Sequence, residues 1–151
     1  MRRKHLEISD PEVIEEILSK SEVCRIAMMD NDRPYIVPLN YGYRDKAIYF
    51  HSSPLGKKID LLRVDNRVCF EIESYSKIIK GDKPCDWGTK YRSVIGYGTI
   101  DFITGTDEKI KGLDIIMSHY GKTGSNEYSE KEVANIVILK LTIDEITGKQ
   151  K

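Results

Sequence analysis

From Val23 onward this chain supplies strand after strand with little helix between them. Residues 23–30 (VCRIAMMD) and 35–43 (YIVPLNYGY) are separated by Asn31-Asp32-Arg33-Pro34, and residues 47–53 (AIYFHSS) follow the polar break Arg44-Asp45-Lys46. Runs of β-branched and aromatic residues around short polar breaks are hairpin signals, and residues 35–53 read as one hairpin. Residues 67–76 place Val68, Phe70 and Ile72 on one side and Arg67, Cys69, Glu71 and Glu73 on the other, the period of a half-buried strand. Residues 91–104 and 134–146 complete six predicted strands. That succession argues against a doubly wound parallel sheet and for a small antiparallel barrel with helical additions. The expected fold class is α+β, mainly β.

Helices are predicted where strands are not. Residues 9–20 begin with Ser9 or Asp10 as N-cap and Pro11 in the first turn, and carry Val13, Ile14, Ile17 and Leu18 on one face. A second helix, residues 55–64, offers Ile59, Leu61 and Leu62 to the core and ends at Asp65-Asn66. The third, residues 106–120, is capped by Thr106 or Asp107, presents Ile110, Leu113, Met117 and Tyr120, and stops at Gly121. Residues 77–90 read as a loop by their Gly, Pro and Asp content, although they hold the single tryptophan, Trp87. Gly96 and Gly98 within the fifth strand point to a bend, or to close approach by another backbone or a ligand.

The chain's 151 residues match one domain, residues 1–151, large enough to bury a core without disulfides or metal. Its 24 basic and 24 acidic residues cancel, so no overall field draws it to nucleic acid or an anionic membrane. The basic start MRRKHLEISD lacks the apolar stretch of a signal peptide, and no run reaches transmembrane length, which places the expectation in the cytoplasm. Cys24, Cys69 and Cys85 have no metal-ligand spacing; Cys24 and Cys69 are expected as buried small hydrophobes. His5 and His119 lack companions for a metal site.

Residues 35–58 concentrate the candidate chemistry. After the hairpin come Ser52, Ser53, a turn over Pro54 to Gly56, and Lys57-Lys58 at a helix start. The first N–H groups of a helix have no intrahelical partner and the macrodipole is positive there, so anions are attracted. Two lysines at that end are unfavourable unless an anion compensates, which marks a candidate phosphate site. Against this stands the plainer reading, a solvated pair of lysines. His51, with an ordinary pKa of roughly 6.5, is either a hydrogen-bonded strand end or a proton donor. Glu71 and Glu73 read as a solvated strand face. Trp87, Tyr91 and Tyr97 read either as core or interface aromatics, or as a cover over a ligand.

Taken in order and spacing, residues 35–43 (YIVPLNYGY), 49–52 (YFHS), 56–58 (GKK), 66–68 (NRV), Ser93-Val94 to Gly98 and the closing 146–149 (ITGK) resemble the pyridoxamine 5′-phosphate oxidase-like split barrels that bind FMN, most nearly the nitroimidazole-resistance group. The resemblance spans about residues 14–149. It implies that Val37, Pro38, Leu39 and Asn40 line the flavin, that His51 and Ser52 meet its phosphate or ribityl end, and that Lys57 and Lys58 clamp the phosphate. It implies that Ser93 reaches the flavin of a partner subunit, in a homodimer with flavin at the interface, and that His51 is the catalytic candidate. The oxidases have an arginine where this chain has Tyr35 and a lysine where it has Asn40, and their C-terminal pyridoxal phosphate motif has no counterpart here. The expectation is therefore an FMN-dependent oxidoreductase, with FAD as an alternative flavin, that passes electrons from NAD(P)H or another donor to a nitroaromatic or other electron-poor small molecule. Two rival expectations are a flavin carrier or redox sensor without turnover, and a haem- or deazaflavin-binding barrel in which His51 would ligate haem.

Overall fold

The computed structural model describes residues 4–151, so Met1 to Arg3 of the basic start lie outside the described residues. Eight strands form one antiparallel sheet: β1 (Glu7–Ile8), β2 (Val23–Asp30), β3 (Arg33–Asn40), β4 (Gly42–Arg44), β5 (Ala47–Ser52), β6 (Arg67–Ile79), β7 (Gly88–Ile103) and β8 (Val137–Gln150). Their order is β3-β2-β6-β7-β8-β5-β4, with β1 added to β8. The helices are α1 (Pro11–Lys20), α2 (Lys57–Val64), α3 (Thr106–His119) and α4 (Glu130–Ala134).

Period-two alternation builds the interior. Ile26 and Met28 of β2, Val68, Phe70 and Ile72 of β6, Val94 and Ile100 of β7, Phe50 of β5 and Leu139 and Leu141 of β8 all point into one buried cluster. Helix α1 closes one end with Ile17 and Leu18, its N-cap being Asp10, whose carboxylate accepts the Glu12 N–H at 2.9 Å. Helix α2 adds Ile59 and Leu62. Gly96 and Gly98 answer to backbone and core, as one of the sequence readings allowed: a Cβ on Gly96 would run into the Phe70 ring and the Glu145 carbonyl, and one on Gly98 into the Thr142 carbonyl. Opposite them, β8 bulges at Asp144, where the pairing passes from Tyr97 with Glu145 to Gly98 with Ile143.

Several sequence expectations need correction. Residues 35–43 are not one strand: Tyr41 interrupts them, fully buried with its hydroxyl donating to the Leu18 carbonyl at 2.8 Å. Thus β3 forms its hairpin with β2 around Asn31-Asp32, while only the short β4 pairs with β5. With the two-residue β1, this raises six strands to eight. Residues 77–90 are largely strand, because the β6–β7 ladder continues to Ile79 opposite Gly88 as an arm beyond the barrel. Both faces of the arm meet solvent, so the alternation that betrays a strand is lost. Residues 147–150, beyond the predicted end of the last strand at residue 146, remain in β8. Helix α3 is capped by the backbone of Gly105 and buries Lys109, Gly112, Ile115 and Ile116, a face turned from the one predicted. Close packing causes the turn: Gly112 sits on Ile138, and Gly42 on the α3 backbone at Ile115 and Ile116. Helix α4 was not foreseen, although Ser129 and Glu132 form a capping box at its start. Cys69 is half-buried rather than buried.

Candidate functional site

The sheet is open between its two margins, β3 on one side and the β5–β4 pair on the other. The chain crosses this split directly after β5. Ser52 is buried, with its hydroxyl donating to the Ser53 carbonyl at 2.9 Å, and the Ser53 hydroxyl accepts the Leu55 N–H at 3.2 Å. Gly56 then takes φ of 118°, in which a side chain would be strained, and its carbonyl starts α2 by accepting from Ile59 and Asp60. Helix α2 packs on β2, which brings Lys57 to the far margin.

There the two lysines diverge. Lys57 Nζ lies 2.5 Å from Asp30 Oδ2 at the end of β2 and 4.9 Å from the centroid of the Tyr35 ring on β3. Its hydrogen bond with the Asp30 carboxylate holds its pKa above the ordinary lysine value. Lys58 is half-buried and, among the described residues, has no ion pair or hydrogen bond. Burial alone pulls its pKa below the ordinary value. A partly desolvated ammonium beside the positive end of a helix is a cation short of an anion.

The residues expected along the flavin separate by face. Val37 and Leu39 are half-buried against the core, whereas Pro38 and Asn40 stand on the open side of β3. β3 is a sheet edge, so its backbone groups away from β2 have no strand partner among the described residues. Asn40 Nδ2 donates to the Glu22 carbonyl at 3.3 Å and to the Tyr120 hydroxyl at 3.0 Å, and that hydroxyl also donates to the Glu22 carbonyl. Asn40 is therefore tied to the end of α3. His51 is exposed on the outer face of β5, opposite Ile138, the residue on which Gly112 of α3 sits.

Ser93 lies on the outer face of β7, paired with Glu73 and Lys149. The same face carries an apolar row across four strands, Ile36, Ala27, Cys69 and Tyr97, in direct register. Ile36 is 60% exposed, Tyr97 56%, and the adjoining Met29 and Ile95 are 56% and 48% exposed. A cavity of about 390 Å³ lies beside the row, lined in part by Met29, Pro34, Cys69 and Tyr97. A larger cleft of about 550 Å³, between α1 and the root of the arm, is away from this chemistry; its Glu16 is already paired with Lys20 at 2.8 Å and Arg92 at 3.4 Å. On the arm, Trp87 is 51% exposed and donates Nε1–H to the Gly81 carbonyl at 2.8 Å.

A family model for pyridoxamine 5′-phosphate oxidase matches residues 10–150. The chain belongs to that family. Among solved structures it is similar to a candidate 5-nitroimidazole antibiotic resistance protein from Bacteroides thetaiotaomicron, with 34% identity, a TM-score of 0.86, and 96% of this chain and 86% of that chain covered. A FAD and heme binding protein from Mycobacterium smegmatis shares the fold at a TM-score of 0.86 with 19% identity, over 96% of this chain and 73% of that one. An uncharacterised protein of Rhizobium meliloti is 32% identical over 60 residues, which is 40% of this chain and 39% of that protein.

Within this pyridoxamine 5′-phosphate oxidase family member, sequence reasoning passed over Asp30, which was read only as the end of a strand. Its signal was weak, since an Asp before a turn is ordinary turn chemistry. Among the described residues no group of His, Cys, Asp and Glu is arranged to hold a metal, and no helix is long and apolar enough to cross a membrane.

Proposed function

We propose that residues 1–151 form one flavin-binding domain that takes FMN at the split between β3 and α2 and works as an oxidoreductase toward small electron-poor molecules. The observation that carries this reading is Lys58, a half-buried ammonium at the start of α2 with no counter-charge among the described residues. Phosphate fits that place. The helix N–H groups and Lys58 supply charge-assisted hydrogen bonds, and the turn through Ser53 and Gly56 keeps side-chain bulk away from them. The free backbone edge of β3, with Pro38 and Asn40 on its open side, offers hydrogen bonds to a flat heterocycle lying along it. Val37 and Leu39 act by holding that edge against the core. Ser52 is buried and orients the turn, and His51, exposed on the outer face of β5, is the proposed proton donor. A bound flavin would itself supply the electron-transfer chemistry, so the chain needs only to bind, orient and shield it.

The row Ile36, Ala27, Cys69 and Tyr97 supports a homodimer, because an apolar face crossing four strands is the kind that a second copy covers. Ser93, on that face, would then meet the partner's flavin, and the arm with Trp87 would lie over the partner's site. An electron donor such as NAD(P)H and a nitroaromatic acceptor are the substrates to try first, given the similarity to the candidate nitroimidazole resistance protein.

The test is a titration of the purified protein with FMN and riboflavin, followed by anaerobic mixing with NADPH and then a nitroaromatic. Lys58→Ala should weaken FMN about tenfold or more while leaving riboflavin little changed, as expected for loss of one charge-assisted bond to phosphate. Equal weakening of both would remove the phosphate assignment. Binding without turnover would leave a carrier or sensor. A Soret band in place of a flavin spectrum would favour haem, and His51→Ala would then abolish it.

A further inference from the structure

The two lysines at the α2 start are not equivalent, and the difference lies in Asp30. Its Oδ2 is 2.5 Å from Lys57 Nζ, so the carboxylate meets the helix end, while its Oδ1 accepts from Asn31 Nδ2 of the turn at 3.4 Å. Tyr35 flanks Lys57 from β3. A ligand phosphate reaching Lys57 must share it with Asp30, whereas Lys58 offers an uncontested charge. The site therefore presents two cations and one built-in anion.

Resting on the flavin-phosphate reading above, we infer that Asp30 is a specificity-determining residue that narrows the preference for a doubly charged phosphomonoester over a singly charged phosphodiester. The argument is Coulombic. A phosphomonoester carries a charge of about −1.5 to −2 at neutral pH, and a phosphodiester carries about −1. An anion bound at Lys57 lies about 6 Å from the Asp30 carboxylate by the length of one shared ammonium bridge. Repulsion at that distance, in a solvent-like dielectric, weakens the dianion about tenfold and the monoanion about threefold. A neutral ligand is unaffected. FMN, riboflavin 4′,5′-cyclic phosphate and riboflavin are thus a series of about two, one and no charges, with a common ring system.

The experiment is a titration of wild type, Asp30→Asn, Asp30→Glu and Lys58→Ala with those three flavins. Asp30→Asn should tighten FMN about tenfold, riboflavin 4′,5′-cyclic phosphate about threefold and riboflavin not at all, and should steepen the salt dependence of FMN binding. Asp30→Glu, which keeps the charge, should restore the wild-type order. If Asp30→Asn weakens FMN, Asp30 serves to position Lys57 and the inference is overturned. It is equally overturned if the three ligands shift alike or none shifts. Lys58→Ala separates that failure from failure of the underlying reading. Should it leave the FMN-to-riboflavin ratio at the wild-type value, the phosphate clamp itself is wrong and the inference falls with it. Should it cut the ratio while Asp30→Asn does nothing, only the inference falls.

Discussion

Gly42→Ala tests how α3 is held, and with it the outer face of β5, which carries His51. An added Cβ would lie 2.7 Å from three backbone atoms of α3, Ile115 C, Ile116 N and Ile116 Cα. Carbon contacts need about 3.5–4.0 Å, so strand and helix must part by roughly 1 Å. No flexible side chain is available to give way. Overpacking of this kind costs about 1–3 kcal/mol, and a rigid backbone on both sides points to the upper end, about 3 kcal/mol. For a chain of this size that lowers Tm by roughly 6–12 °C. Gly112→Ala is the internal control. Its Cβ would meet only the Ile138 side chain, Cγ2 at 2.8 Å and Cγ1 at 3.2 Å, and a helical Gly→Ala change recovers about 1 kcal/mol. Its net cost should stay near 1 kcal/mol. Thermal melts followed by circular dichroism decide between the two. A Gly42→Ala protein melting within 2 °C of wild type, or a Gly112→Ala protein that is the less stable of the pair, would refute the packing argument.

The preference for FMN over riboflavin should have two pH limits. It should fade on the alkaline side before the ordinary lysine value of 10.5, because burial favours neutral Lys58, and on the acid side below about pH 6, where the phosphomonoester takes up its second proton. A preference flat across both limits would mean that Lys58 is not the ligand. Ile36→Asp with Tyr97→Asp, on the exposed apolar row, should leave a folded monomer by light scattering if that face joins two copies; an unchanged mass would show the face is elsewhere. Asp65 is held at a pKa of about 2 by hydrogen bonds from Arg67. Its contribution to stability is therefore present above the ordinary carboxylate value of 3.8 and lost as pH falls through about 2. Carboxyl NMR should show the low value, and Arg67→Ala should return it toward the ordinary one.

Much of this architecture is legible in local patterning. The alternation Val68, Phe70, Ile72 declares β6, Asp10 and Pro11 announce α1, and Gly121, with φ of 82°, ends α3 where it was expected. These signals are local, because capping and period-two burial involve neighbours in the chain. The same holds for the pairing of Ser52, Gly56 and Lys57-Lys58 at one helix start. What failed was non-local. The α3 face was misread because helix periodicity ranks residues by hydrophobicity, whereas Gly112 allows close approach to Ile138 of the sheet and Lys109 is buried with its Nζ donating to the Val133 carbonyl of α4 at 3.1 Å.

The sequence by itself determined the mainly β class, the strand-to-helix turn at residues 52–58 and the presence there of two cations, since each depends on residues adjacent in the chain. Only the tertiary structure decided that Tyr41 divides a strand, that residues 77–90 extend a ladder, and that Asp30 pairs with Lys57 while Lys58 has no ion pair among the described residues. Those outcomes depend on β2, β3 and α2 converging across the split, where a side chain 27 positions away sets the charge that a ligand meets.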